Sequence, residues 1–255
     1  VRILLTNDDG IFAPGMRALE HELRKMGDVD VVAPATEQSG VGHSITFLSP
    51  LVVEEVYDGE DFRGWAVDGS PADSVKVGIH EFCSERPNLV VSGMNAGLNA
   101  GINVLYSGTV AAAIEGAFFG ITSIAVSLER SRHPPLEKAA KIAGRLIAQI
   151  LEHKDDQPRL FNLNLPTSVA EDDVPEVHVV PMAVCQYGEK FEKRTDPRGR
   201  NYYWATGYPP PPVHGEENDV SALAQGRITL TPLDFDLTRQ DILPEMRQWR
   251  FRPQG

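Results

Sequence analysis

From Arg2 to Leu165 short apolar runs alternate with stretches whose apolar residues recur at helical spacing, and this alternation constrains the chain more than any other feature. Strands joined by crossover helices pair in parallel, so the pattern predicts an α/β fold with a doubly wound, mostly parallel sheet. The first strand is Arg2 to Thr6. Pro14 then opens a helix that carries Met16, Leu19, Leu23 and Met26 and ends at Gly27, and Asp28 to Ala33 follows as a strand. Leu51 to Tyr57 and Phe62 to Val67 flank a short acidic turn and read as a hairpin. Ser70 to Asp73 has the form of a capping box with Pro71 at the first helical position, so a helix is expected to run to about Phe82. Asn88 to Ser92 reads as a buried strand, Glu137 to Leu151 as an amphipathic helix and Leu160 to Leu165 as another strand.

Gly108 to Leu128 carries Glu115 as its single charge and has the length of a membrane span. Gly120 divides it, however. An Ala-rich helix from Thr109 to Phe119 followed by a β-branched strand from Ile121 to Leu128 accounts for the same residues inside a soluble core.

Beyond Pro166 the pattern changes. Glu176 to Pro181 and Ala183 to Tyr187 read as strands, Lys190 to Arg200 is charged, and Asn201 to Ala205 is aromatic and extended. Residues 1–182 are therefore expected to form the catalytic domain, and 183–255 an arm and oligomerisation segment that completes the fold. An extended arm with an aromatic tip cannot bury itself on a small sheet, so a partner subunit is its expected cover. Pro209 to Pro212 forms a stiff spacer, and Arg227 to Thr231 is one more strand.

The balance of 24 Lys and Arg against 36 Asp and Glu gives a net charge of −12. With no basic stripe in the sequence, this argues against nucleic-acid polymers and acidic membranes as partners. A small anionic substrate stays open if the site supplies its own positive charge from a metal ion or helix N-termini. The two cysteines, Cys83 and Cys185, fit neither a metal knuckle nor a redox pair. The opening residues lack the apolar stretch of a secretory signal, so the expected compartment is the cytoplasm.

Two long loops fall at strand ends, where open α/β sheets place their ligands. One spans Pro34 to Pro50; the other is the Gly-rich stretch from Gly93 to Gly108. Asn7, Asp8, Asp9 and Gly10 follow the first strand directly, which sets two carboxylates side by side at its carboxyl end. Adjacent acids repel unless a cation compensates, and such oxygen donors suit a hard ion such as Mg²⁺ or Mn²⁺. Taken alone, the pair reads more readily as a capped turn than as a metal site. Ser39 and Asn95, one in each loop, offer a neutral oxygen apiece, so Asp8, Asp9, Ser39 and Asn95 form the candidate set for one divalent ion per subunit. Ser107, Gly108 and Thr109 enter the Ala-rich helix and form a candidate phosphate seat, although a plain N-cap would use the same residues. His43 is a candidate proton donor or phosphate ligand, or an ordinary loop histidine. Asp8, Asp9 and Asn95 are the candidate catalytic groups, and Asn7 joins the candidates for contacting substrate.

Other chemistries fail on spacing. There is no Walker lysine, no G-x-S-x-G elbow and no H-E-x-x-H, the acids are adjacent rather than Asp-x-Asp, and the glycines from Gly93 to Gly101 do not match G-x-G-x-x-G. A non-enzymatic nucleotide-binding or assembly protein built on the same strand-end site remains the alternative.

TNDDGIFAPG, APATEQSGVGHSIT, VDGSPADSV, VVSGMNAGLNAG, YSGTVAAAIEGAFFGI and the run from Asn201 to Leu233 together resemble the survival protein SurE family of 5′-nucleotidases along essentially the whole chain. The resemblance implies a Rossmann-like catalytic domain with a C-terminal β-hairpin arm exchanged between the subunits of a homodimer or homotetramer. It also implies hydrolysis of nucleoside 5′-monophosphates, and of 3′-monophosphates, to nucleoside and phosphate. The family's metal motif falls on Asp8, Asp9, Ser39 and Asn95, and its Ser-Gly-Thr stretch, here Ser107 to Thr109, lies near the phosphate.

Overall fold

The computed structural model describes residues 1–170, 176–184, 190–206 and 216–251. Among the described residues nine strands form one sheet: β1 (Arg2–Thr6), β2 (Asp28–Pro34), β3 (Val52–Asp58), β4 (Asp61–Asp68), β5 (Leu89–Ala96), β6 (Thr122–Leu128), β7 (Leu160–Leu165), β8 (Val177–Val179) and β11 (Ile228–Leu233). Their order is β3-β4-β2-β1-β5-β6-β7-β11-β8. The six strands from β4 to β7 in that order are parallel, β3 closes one edge as an antiparallel hairpin with β4, and β11 runs antiparallel to β7.

Four helices cover the two faces. The first face carries α1 (Pro14–Leu23) and α4 (Leu136–His153); the second carries α2 (Pro71–Val77) and α3 (Gly108–Phe118). Side chains alternate across a strand, so β1 feeds both layers: Ile3 and Leu5 pack with Met16, Leu19, Ala140 and Ile147, while Leu4 packs with Val75 and Ala112. All are buried, and truncating one such leucine to alanine costs roughly 2–5 kcal/mol. The capping box of α2 is present, with the Ser70 hydroxyl accepting from the Asp73 N–H and the Asp73 carboxylate accepting from the Ser70 N–H. The regular helix ends at Val77 and gives way to one wider turn, Gly78–Phe82. The candidate membrane span resolves into α3 and β6, both largely buried, and among the described residues no helix is long and apolar enough to cross a membrane.

Strand β1 pairs with β2 on one side and β5 on the other, so the chain reverses its winding at β1 and leaves a crevice at the carboxyl ends of β1 and β5. The second of these strands is longer than its sequence suggests. Its pairing with β6 breaks after Ser92 and resumes at Asn95, opposite Ser127. Gly93 makes this possible, because a Cβ there would collide with the Val126 carbonyl oxygen. Glycines that read as loop are here a bulge inside the ladder.

The C-terminal segment contributes β11 to the main sheet and α5 (Asp219–Leu223) beside it. A separate antiparallel ribbon, β9 (Lys190–Thr195) with β10 (Asn201–Thr206), forms the expected hairpin arm. A last short helix, α6 (Leu243–Met246), follows β11. The strand expected from Ala183 is absent at Ala183 and Val184, where the backbone is irregular because the Ala183 N–H is taken by the Asp219 carboxylate instead of a ladder partner. The rest of that expected strand, the Pro209 to Pro212 spacer and Cys185 lie outside the described residues. Cys83 is a free, half-buried thiol that burial beside Asp30 pushes up to about 12.

Candidate active site

The turn after β1 is built by Asn7. Its fully buried carboxamide donates to the Gly10 carbonyl at 2.9 Å and accepts the Gly10 N–H at 3.2 Å. Both polar ends of Asn7 are therefore spent on turning the chain, and its contribution to the site is to aim the two residues that follow.

Asp8 and Asp9 stand at the crevice, each oriented by a different element. Thr109, in the first turn of α3, donates its hydroxyl to Asp8 Oδ1 at 2.5 Å. This close approach requires Gly108, where a Cβ would lie 2.9 Å from Asp8 Cβ. Asp9 Oδ2 accepts the Ala96 N–H at 2.9 Å, a bond supplied by the extension of β5 beyond its bulge. Burial raises the Asp8 carboxyl to about 6; the Thr109 hydroxyl opposes the rise and the neighbouring Asp9 charge adds to it. Burial also raises Asp9, against the Ala96 N–H, with Glu37 raising it further and Arg130 lowering it.

Ser39 and Asn95 reach the same cavity, which has a volume of about 250 Å³. The Ser39 hydroxyl donates to Glu37 Oε1 at 2.6 Å, and the Asn95 amide donates to the Gly97 carbonyl at 2.7 Å. The four residues thus share one arrangement. Each is fixed by at least one hydrogen bond and keeps acceptor capacity for a ligand: carboxylate lone pairs on Asp8 and Asp9, lone pairs on Ser39, and the carbonyl oxygen of Asn95.

Two buried, mutually repelling carboxylates beside two neutral oxygens suit a hard divalent cation, whose charge would offset the rise in both carboxyls. Among the described residues no cluster of three or more His, Cys, Asp or Glu side chains could hold a metal. A cation here would therefore rely on hydroxyl and amide oxygens alongside the carboxylates.

The remaining candidates divide. Ser107 lines the cavity, but its hydroxyl accepts the Val110 N–H at 3.1 Å and caps α3. Gly108 and Thr109 lie behind Asp8 and support it. His43 points elsewhere: its Nε2 lies 2.6 Å from Glu115 Oε2 and its ring stacks on Phe118 with centroids 5.3 Å apart. Glu115, the one charge of the apolar segment, is buried by this pairing.

Four polar or charged side chains of the cavity wall escaped the sequence reading: those of Asn99, Asn103, Tyr106 and Arg130. Asn99 is buried, donates to Ser127 at 2.9 Å and Thr109 at 3.3 Å, and is held through its own carbonyl by Asn162 and Asn164. The signal for Arg130 was its place two residues beyond the end of β6, at the same carboxyl edge as the other loops.

Fold and site together define a doubly wound α/β protein with a two-carboxylate, oxygen-lined cleft at the switch point of its sheet. Within that class the chain belongs to the family described as Survival protein SurE, whose pattern matches residues 3–193. It is 57% identical over 254 residues to a protein of Rhodopirellula baltica named 5′-nucleotidase SurE, covering 99% of this chain and 100% of that one. A protein of the same name from Carboxydothermus hydrogenoformans is 42% identical over 254 residues, covering 98% and 96%. The crystal structure of the SurE protein from Aquifex aeolicus superposes with a TM-score of 0.84 at 35% identity, covering 97% of this chain and 98% of that one.

Proposed function

We propose that this protein is a divalent-metal-dependent 5′-nucleotidase that hydrolyses nucleoside monophosphates to nucleoside and phosphate. The observation that carries the reading is the convergence of Asp8, Asp9, Ser39 and Asn95 on one cavity, each with acceptor capacity left for a ligand. Family membership and the names of the two relatives support the same activity.

Those four residues would hold Mg²⁺ or Mn²⁺, and the bound ion would offset charge developing on the phosphoryl oxygens and lower the pKa of water. The chain's own groups do the positioning. Asp8, clamped by Thr109, and Asp9, clamped by the Ala96 N–H, present fixed oxygens toward the cavity. Asp8 or Asp9 would orient an attacking water or accept its proton. The Asn95 carboxamide and the positive end of α3 beyond Ser107 face the phosphate. Asp8, Asp9 and Asn95 keep the catalytic roles assigned from sequence. The hairpin arm supports a homodimer or homotetramer, and the composition suits the cytoplasm.

Phosphate release from a panel of nucleoside mono-, di- and triphosphates, with Mn²⁺ or Mg²⁺ and then with excess chelator, tests the proposal. Metal-dependent release that favours monophosphates is expected. Equal rates in chelator contradict the metal requirement, and no release from any nucleotide contradicts the activity.

A further inference from the structure

The cavity needs more positive charge than its acids and one divalent ion provide. Two carboxylates and a doubly charged cation sum to zero, so a phosphate monoester dianion arriving there meets no net attraction, on a protein of net charge −12. Glu37, hydrogen-bonded to Ser39 at the rim, adds another negative charge. Among the described residues lining the cavity, Arg130 is the only basic one.

Arg130 is also placed with some care. It lies two residues beyond the end of β6 and is exposed, but its guanidinium is not loose: Nε donates to the Ala96 carbonyl at 3.2 Å. The N–H of the same Ala96 donates to Asp9. One residue of β5 therefore fixes the carboxylate with one end of its backbone and the guanidinium with the other. With Nε engaged, the two terminal nitrogens of Arg130 form a fork of N–H donors, the geometry that matches two oxygens of one phosphoryl group.

We propose that Arg130 is a phosphate-binding residue of this site, its two terminal nitrogens gripping the phosphoryl oxygens of the monoester from the β6 side of the cavity. This rests on the nucleotidase reading above and adds a group that it lacks: a fixed cation that recognises the charge of the substrate itself. The same contact holds inorganic phosphate, so Arg130 also sets the strength of product inhibition.

The test compares wild type with Arg130→Gln and Arg130→Lys, using adenosine 5′-monophosphate and 4-nitrophenyl phosphate as substrates and inorganic phosphate as inhibitor, in Mn²⁺. Losing a charge-assisted hydrogen bond at a partly solvated site is expected to raise KM for both substrates about tenfold in Arg130→Gln. The inhibition constant of phosphate should rise in the same proportion, with kcat changed much less and the thermal midpoint unmoved. Arg130→Lys keeps the charge without the fork and should recover part of the loss. Unchanged KM and phosphate inhibition in Arg130→Gln, with an active wild type, overturn the proposal alone. So does a fall in kcat at constant KM, which would mean that Arg130 acts only by holding the Ala96 carbonyl. A wild type inactive on both substrates overturns the nucleotidase reading and this proposal with it.

Discussion

Thr109 donates its hydroxyl to Asp8 Oδ1 at 2.5 Å, joining the first turn of α3 to the end of β1 across 101 positions of sequence. Both residues are buried, so water cannot replace the bond once it is lost. Thr109→Val keeps the shape and removes the donor. It is expected to cost about 1.5–3 kcal/mol at pH 8 in chelator, as for a hydrogen bond to a charged group, while Thr109→Ser costs less. Urea unfolding of the three proteins measures this, and equal midpoints for wild type and Thr109→Val would show that the bond contributes nothing.

The same burial makes the metal-free protein sensitive to pH. The Asp8 carboxyl sits at about 6 in the folded protein against 3.8 for the ordinary group. Between those values the folded state keeps a proton that the unfolded chain has released, so stability falls as pH rises through this window and levels off above about 6. The drop is roughly 3 kcal/mol for a shift of this size. Asp8→Asn, whose amide oxygen still accepts from Thr109, should lose that part of the slope and be the more stable protein at pH 7 in chelator. Parallel stability profiles from pH 4 to 8 for the two proteins would contradict the assignment.

His43 pairs with the buried carboxylate of Glu115. Removing the imidazole leaves Glu115 with Lys76 as its nearest cation, at 3.8 Å. His43→Ala is therefore expected to destabilise the protein by about 1–3 kcal/mol and to leave KM for the nucleotide unchanged. A rise in KM with no change in stability would instead restore His43 as a phosphate ligand.

The β9–β10 arm predicts association. Tyr202, Tyr203, Trp204 and Phe191 are exposed on a two-stranded ribbon, which has too little core to hold its own shape in water. Sedimentation of the wild type at micromolar concentration is expected to give a dimer or larger species. The double substitution Tyr203→Asp, Trp204→Asp should shift it toward monomer. A fully active wild-type monomer would show that the arm needs no partner.

Much of this was legible before the structure. Strands β1, β2 and β7 and the cap of α2 followed from periodicity and capping chemistry, since Leu4 and Leu5 must face opposite layers and Ser70 and Asp73 can satisfy each other locally. The pair Asp8 and Asp9 was visible because a strand end fixes where adjacent residues go. What sequence could not show was the use of each side chain. Nothing local says that Thr109 would turn to Asp8, that His43 would turn to Glu115, or that Asn7 would be consumed by its own turn, because these choices depend on contacts between distant segments. The stretch after Ser92 was misread for a related reason: glycine permits both a loop and a bulge, and only the approach of Val126 decides between them.

The account rests most directly on Asp8 and Asp9 sharing one divalent ion, and thermal melts of wild type and Asp9→Asn, first in chelator and then with Mn²⁺, test it. In chelator the variant is expected to be as stable as wild type or slightly more so, because it removes one of two like charges that burial already disfavours. At a hundredfold excess of Mn²⁺ over its dissociation constant, wild type should gain about 2.7 kcal/mol. The variant should gain little and lose most of its phosphate release. If the two proteins respond equally to Mn²⁺, Asp9 is not a ligand and the central claim is contradicted.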